Sequence, residues 1–415
     1  MKPLGLDFEV RAISKNGILL FSFVFLTAAG YMLQRSLSDG LLLGELGHEA
    51  LPLAMLLSAV FAGLFAWIAG RVRNPDATRR FNIVSRIVLL VLTLVLAWEQ
   101  PVFVKYPWML YGLFVLAELR AILNTVQFAV VFYESTQREE RSKVGLLMSG
   151  APLAGIVIAF AVKLEMAALG FQGLFYLVAL LDLLSLIPIA MLTPRQRPPE
   201  QSQSAQANEA PSQNESPRWL QLKSLVAWLV VLKTISLTMV AYEWKATAAD
   251  EFVHAPEQLT VFFAEFYGIA DALTLLFQIT LFERWVKRWG ASAALVAYPC
   301  ILLIAVGLAM ANFSLTWTFL FLSLAKATEF IRRSWYDPSF TLVFAGFPSI
   351  KRGPIISWAN SFLKPVTEAS VVAVILFLTT WVDNPRTLTA VGMVAIIFWA
   401  TNGARLRHWK STSNT

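Results

Sequence analysis

Continuous apolar runs of the length needed to cross a bilayer, about 20 residues, recur twelve times along this 415-residue chain. They lie near residues 17–37, 51–70, 81–98, 107–132, 144–162 and 171–192, and again near 220–246, 259–282, 292–310, 315–331, 355–378 and 388–400. None alternates apolar with polar positions as the strands of a membrane barrel must, and in lipid a helix satisfies all its backbone polar groups internally. The expected fold is an all-α membrane protein of twelve transmembrane helices. A hydrophobic content of 57%, with only 15% charged residues, agrees.

In such a chain the net charge of +7 matters less than where Lys and Arg fall. Even-numbered connections hold Arg71, Arg73, Arg79 and Arg80, then Arg138, Arg141 and Lys143, then Arg195, Arg197 and Arg218, then Arg284, Lys287 and Arg288, then Arg332, Arg333, Lys351 and Arg352. Odd-numbered ones hold little beyond Lys105, Lys163 and Arg386. The expectation is a multi-pass protein of the cell inner membrane with both termini cytoplasmic. The basic balance reports topology and is no nucleic-acid footprint. Asp7, Glu9 and the length of the first run argue against a cleavable signal, so that run is expected to stay as a span. Cys300, the single cysteine, is expected to be a packed, inert thiol of the ninth span.

Residues 194–217 carry Pro, Gln, Ser and Ala and no large aliphatic or aromatic side chain, the composition of a flexible linker. The linker divides the chain into two six-helix halves, 1–193 and 218–415. Two halves of six spans with both ends inside resemble the layout of the major facilitator superfamily. Gly70, Asp76, Arg79 and Arg80 after the second span are similar to that superfamily's loop signature, and the basic turn at 282–290 echoes them. In the fifth span, Ser149, Gly150, Ala154 and Gly155 provide a small-residue face for close helix packing.

Charges inside the apolar runs are the candidates for function. One at the bilayer centre costs roughly 2.5–3.5 kcal/mol even on lenient scales, so it should face protein or a wet cavity. In the superfamily the first, fourth, seventh and tenth spans line the central cavity. Charges follow that set: Arg35 in the first, Glu118 and Arg120 in the fourth, Lys233, Glu243 and Lys245 in the seventh, Lys326 and Glu329 in the tenth. The eighth and eleventh add Glu265, Asp271, Lys364 and Glu368. Lys326 with Glu329 and Lys364 with Glu368 are three and four residues apart, so each couple shares a helix face. Glu118 and Arg120 point about 200° apart and need partners on other helices. Arg120, Asn124 and Gln127 form one polar stripe, and such cations and amides suit a carboxylate or phosphate. Glu265, Asp271 and Glu368 are candidates for proton carriage or ion pairing.

Nothing points to an enzyme or a cofactor. His48, His254 and His408 have no cysteine or second histidine at ligand spacing, and no phosphate-binding Gly-rich loop occurs.

The stretches 118–157, 242–252, 262–278 and 332–369, with Tyr336-Asp337-Pro338 and Lys364-Pro365 the most specific pieces, resemble the ATP/ADP translocase family and its bacterial relatives. Ala151, Pro152, Val366, Thr367 and Glu368 depart from that family's glycine pattern. The resemblance implies nucleotide exchange or import and adds weight to Glu118, Gln127, Lys245, Lys326 and Lys364. The leading expectation is a secondary transporter or exchanger of a small organic anion, nucleotides and other phosphorylated metabolites included, working by alternating access in the lipid bilayer. Two other readings stay open: a transporter-like subunit that binds a protein partner without transport, and a lipid transporter.

Overall fold

The computed structural model describes residues 15–69, 75–99, 106–135, 149–192, 217–311, 314–340, 358–381 and 386–413. The expected linker at 194–217, the loop signature's Gly70 and the pair Lys351 and Arg352 fall outside the described residues or at their edge.

Helical stretches follow one another in the order of the apolar runs: α1 (Lys15–Leu46), α2 (Leu51–Ala69), α3 (Pro75–Glu99) and α4 (Pro107–Ser135). The run Gly150–Met191 bends at Gly170, whose φ of 59° is left-handed and open only to glycine at low cost, and so forms α5 and α6 on either side. Then come α7 (Pro217–Glu251), α8 (Pro256–Thr280), a short helix Phe282–Trp289, α9 (Ala294–Ala311), α10, α11 and α12 (Arg386–Ser413). Here α10 starts as Leu315–Ala327 and continues through Glu329–Ile331 and a π-helical turn Arg332–Tyr336, and α11 joins the π turn Ala359–Leu363 to Lys364–Trp381. Eight stretches among the described residues are by themselves long and apolar enough to cross a membrane.

Large apolar side chains such as Val60, Ile87, Leu164, Ile279, Ile304 and Phe377 point outward, as lipid-facing positions do. Between helices, where lipid tails compete on equal terms, association rests on close packing. The small-residue face of the fifth span supplies it: Gly150 meets the Phe21 backbone, and a Cβ at Gly155 would strike the Asp271 carboxylate of α8. The main core draws on both sequence halves, with Leu33, Leu37 and Phe175 in one cluster with Trp244 and Phe263. A second cluster, around Val226, Tyr298 and Trp399, lies within the second half.

Three boundaries differ from the sequence expectation. Helix α1 runs on past residue 37 to Leu46, because Ser38, Asp39 and Gly40 are buried: Ser38 donates back to the Arg35 carbonyl, and Asp39 and Gly40 meet other helices. Helix α10 runs on past 331, so Arg332 and Arg333 are helical residues in the protein interior and not part of a loop. Cys300 is exposed on the outer surface of α9, not packed.

Candidate functional site

A cavity of about 630 Å³ lies between the two sequence halves, walled by α1, α2 and α4 on one side and by α7, α8, α10 and α11 on the other. Among the described residues seven cations line it: Arg35, Lys233, Lys245, Lys326, Arg332, Arg333 and Lys364. Four carboxylates line it with them, Glu118, Glu329, Asp337 and Glu368. Two more stand just behind the wall, Asp39 and Asp271, both buried.

These charges fall into groups. At one end Asp39 accepts from Lys245 Nζ at 2.6 Å and from the Tyr267 hydroxyl at 2.9 Å, with Arg35 Nε at 3.7 Å. Arg35 also meets Glu118 at 2.7 Å. Beyond Asp39, α1 presses on α8: a Cβ at Gly40 would overlap Thr260, and one at Gly44 would come within 2.5 Å of Pro256. His48 and Asp250 then pair at 2.8 Å. Helices α1 and α8 pack tightly at this end of the cavity.

On α10, Lys326 and Glu329 pair at 2.6 Å, as their spacing predicts, while still forming part of the cavity wall. Arg333 reaches Glu329 at 3.5 Å and Asp271 at 2.8 Å, which links the wall to the contact between α5 and α8. The third group contains Asp337, which takes Lys233 Nζ on one oxygen at 3.2 Å and Arg332 Nη1 on the other at 2.9 Å. Arg332 and Asp337 are five residues apart, and the π turn between them is what brings them to one face, since its hydrogen bonds run from i to i+5. Lys364 and Glu368 line the cavity on α11, yet no ion pair joins them. Lys364 adds to the positive field at both Glu368 and Asp337.

The polar stripe on α4 behaves differently. Glu118 faces the cavity, and Arg120, two residues on, faces away into the first half, as the angle between them requires. Arg120 is fully buried and pairs with Asp182 of α6 through Nη1, with Gln34 of α1 through Nε at 2.5 Å and with Thr93 of α3 at 3.0 Å. Arg86 of α3, also fully buried, bonds Gln127 at 2.6 Å and Asn124, and its Nη1 stands 3.8 Å from Asp182. Asn124 in turn donates to the Thr27 carbonyl at 2.9 Å. Arg120, Asn124 and Gln127 therefore hold four helices together and do not line the cavity. Glu243 is turned to α12, accepting from Thr389 at 3.0 Å. Glu265 pairs with Lys163 at 2.6 Å on the other face of α8, so Lys163 belongs to a helix and not to a connection.

Sequence reasoning missed Asp39, Arg86, Asp182, Arg332, Arg333 and Asp337 as members of these clusters. Asp337 alone carried a signal, as the acid of Tyr336-Asp337-Pro338. Among the described residues no cluster of three or more His, Cys, Asp and Glu is arranged for a metal ion.

No family model matches the sequence, and no curated protein matches it. Solved structures match over nearly the whole chain. A D-xylose-proton symporter aligns with a TM-score of 0.67 at 12% identity, over 92% of this chain and 96% of that one. A peptide transporter crystallised with alafosfalin aligns at 0.64 and 13%, over 95% of each chain. A bacterial homologue of the iron transporter ferroportin in an inward-facing state aligns at 0.63 and 15%, over 95% of this chain and 99% of that one. At these identities the likeness is one of fold: the chain is an all-α membrane protein with a major facilitator-type architecture.

Proposed function

We propose that this protein is a secondary transporter that carries a small organic anion by alternating access, with the central cavity as its substrate site. The observation that carries the reading is a 630 Å³ cavity between the two sequence halves, lined among the described residues by more cations than carboxylates. An uncharged or cationic solute would gain nothing from that excess. The solved structures of similar fold belong to proteins described as a D-xylose-proton symporter, a peptide transporter and a bacterial homologue of an iron transporter, so membrane transport is the common thread of their descriptions while the solute varies.

In this reading the units 1–193 and 218–415 rock about the cavity, with 194–217 as their tether. The positive-inside pattern puts the termini in the cytoplasm of an inner membrane. The end sealed by Asp39 and Lys245 then faces outward, and the structure corresponds to an inward-facing state. Arg35, Lys233, Lys245, Lys326 and Lys364 are the cavity cations for substrate, with Glu118 and Glu329 holding them when the site is empty. Glu368 and Asp271 are available for a coupled proton. Nucleotides and phosphorylated metabolites, which the family resemblance brings in, belong to the solutes to be tried, as does exchange of one anion for another.

A non-transporting subunit would fill its interior with sealed ion pairs, and the open volume beside Lys364 and Glu368 weighs against it. The charged ring of the cavity weighs against a lipid. Uptake of anions into proteoliposomes tests the proposal. Lys326→Ala should abolish uptake while leaving the melting temperature of the purified protein within a few degrees of wild type. Full uptake by that variant removes Lys326 from the mechanism, and no uptake of any anion by the wild type overturns the transporter reading.

A further inference from the structure

Among the described residues, taken with every side chain in its ordinary ionised form, the cavity and its immediate backing hold seven cations against six carboxylates, a surplus of one positive charge. The surplus has a place. Asp39 and Glu118 balance Arg35 and Lys245, and Glu329 and Asp271 balance Lys326 and Arg333, each set through contacts of 4 Å or less. What remains is Asp337 shared between Lys233 and Arg332, with Lys364 and Glu368 of α11 alongside and without an ion pair of their own.

Two further features mark this group as unfinished. The Nε of Arg332 is buried and has no hydrogen-bond partner, although a guanidinium presents five donors in a fixed fork suited to an oxyanion. Lys364 is exposed within the cavity wall, its ammonium available. By contrast the facing wall on α1, α2 and α4 is largely apolar, with Met32, Met55, Ala59, Ala62 and Ile122.

We infer that Lys233, Arg332 and Lys364 form an oxyanion subsite that takes the single negative group of a univalent organic anion, whose apolar or uncharged body lies against the α1, α2 and α4 wall. This rests on the anion-transport reading and narrows it by valence. A second negative charge on the ligand would find no uncommitted cation and would have to displace Glu329, Asp337 or Glu118 from its partners. A ligand of one charge leaves the described charges of the site neutral in sum, the least costly state for a charged cluster in a low-dielectric interior.

Phenylacetate, phenyl phosphate, phthalate and ATP, compared by thermal stabilisation of the full-length protein in detergent and by competition in proteoliposome uptake, separate valence from the kind of oxyanion. Phenylacetate should bind the wild type at least tenfold more tightly than phthalate or ATP. Phenyl phosphate should improve as the pH is lowered through its second ionisation if a phosphate monoanion also fits, and should stay weak if only carboxylates do; either outcome supports a univalent subsite. Asp337→Asn raises the local surplus to two and should swing the preference by about tenfold toward phthalate. Lys364→Gln lowers it to zero and should weaken phenylacetate by tenfold or more. Lys364 has no ion-pair partner whose loss could unfold the protein, so this variant stays informative if Asp337→Asn does not fold. ATP or phthalate outcompeting phenylacetate on the wild type overturns the inference while leaving anion transport standing. An unchanged valence preference in a folded Asp337→Asn variant also overturns it. Binding of none of the four overturns the anion reading itself and this inference with it.

Discussion

Two clusters in this protein are built from the same parts and serve opposite ends. In the first half, Arg86 and Arg120 share Asp182, and all three side chains are at most 1% exposed. In the second half, Lys233 and Arg332 share Asp337, and the three are 20–36% exposed at the cavity wall. The dry cluster spends its donors on Gln34, Thr93, Asn124 and Gln127 from neighbouring helices. Each still leaves one guanidinium nitrogen buried without a hydrogen-bond partner, Arg86 Nη1 in the dry cluster and Arg332 Nε in the open one. A pair of cations around one carboxylate is thus a bolt where neighbouring helices supply amides and hydroxyls, and stays open to the cavity where they do not. Composition does not separate the two cases; solvent access does.

Substitutions can break the comparison from its strongest side first. Asp182→Ala strands two guanidiniums with no carboxylate in the first-half interior and should cost about 3–5 kcal/mol, read as a large drop in melting temperature or failure to purify as a monodisperse protein. Arg120→Lys keeps the charge but cannot reach Gln34, Thr93 and Asp182 together, so about 2 kcal/mol should go with the lost charge-assisted bonds. A loss near zero would mean the cluster is less committed than its hydrogen bonds indicate. Gly155→Val forces a side chain into the Asp271 carboxylate at the contact of α5 with α8; overpacking of this kind costs typically 1–3 kcal/mol and should slow uptake, because Arg333 is held by the same carboxylate. Asp337→Asn should cost about 1 kcal/mol or less, since water screens the open pair, while changing transport strongly. Smallest of all, raising ionic strength to about 1 M, where the screening length falls to about 3 Å, should weaken anion binding at the open cluster and leave the melting temperature almost unmoved.

Much of this was legible in the chain. Apolar length marks the helices, and the pair Lys326 and Glu329 follows from helical spacing, as does the divergence of Glu118 from Arg120. Which of those two would face the cavity does not follow, because a polar stripe looks the same whether water or a neighbouring helix covers it. Arg120, Asn124 and Gln127 needed the positions of Asp182 and Arg86 to be read as a bolt, and those partners lie 62 residues downstream and 34 upstream of Arg120 in sequence. Asp39 was hidden for a different reason: it follows the last strongly apolar residues of its run and looks like a loop residue until α8 packs over it. Arg332 and Arg333 were read as loop cations because two adjacent arginines usually end a span, and nothing local announces that the helix widens and continues.

That widened turn makes part of the site a matter of counting. Arg332 and Asp337 meet because one more residue than an ordinary helical turn would hold has been fitted between them. Loss of a single residue from 333–336 would restore an ordinary turn with Asp337 four positions after Arg332 and still near its face, whereas the present length wound as a regular helix would rotate everything that follows by about 100°. Asp337 would then leave the cavity although both partners remained in the chain. The width of this one turn therefore bears on the position of Asp337 as directly as the identity of the charged residues around it.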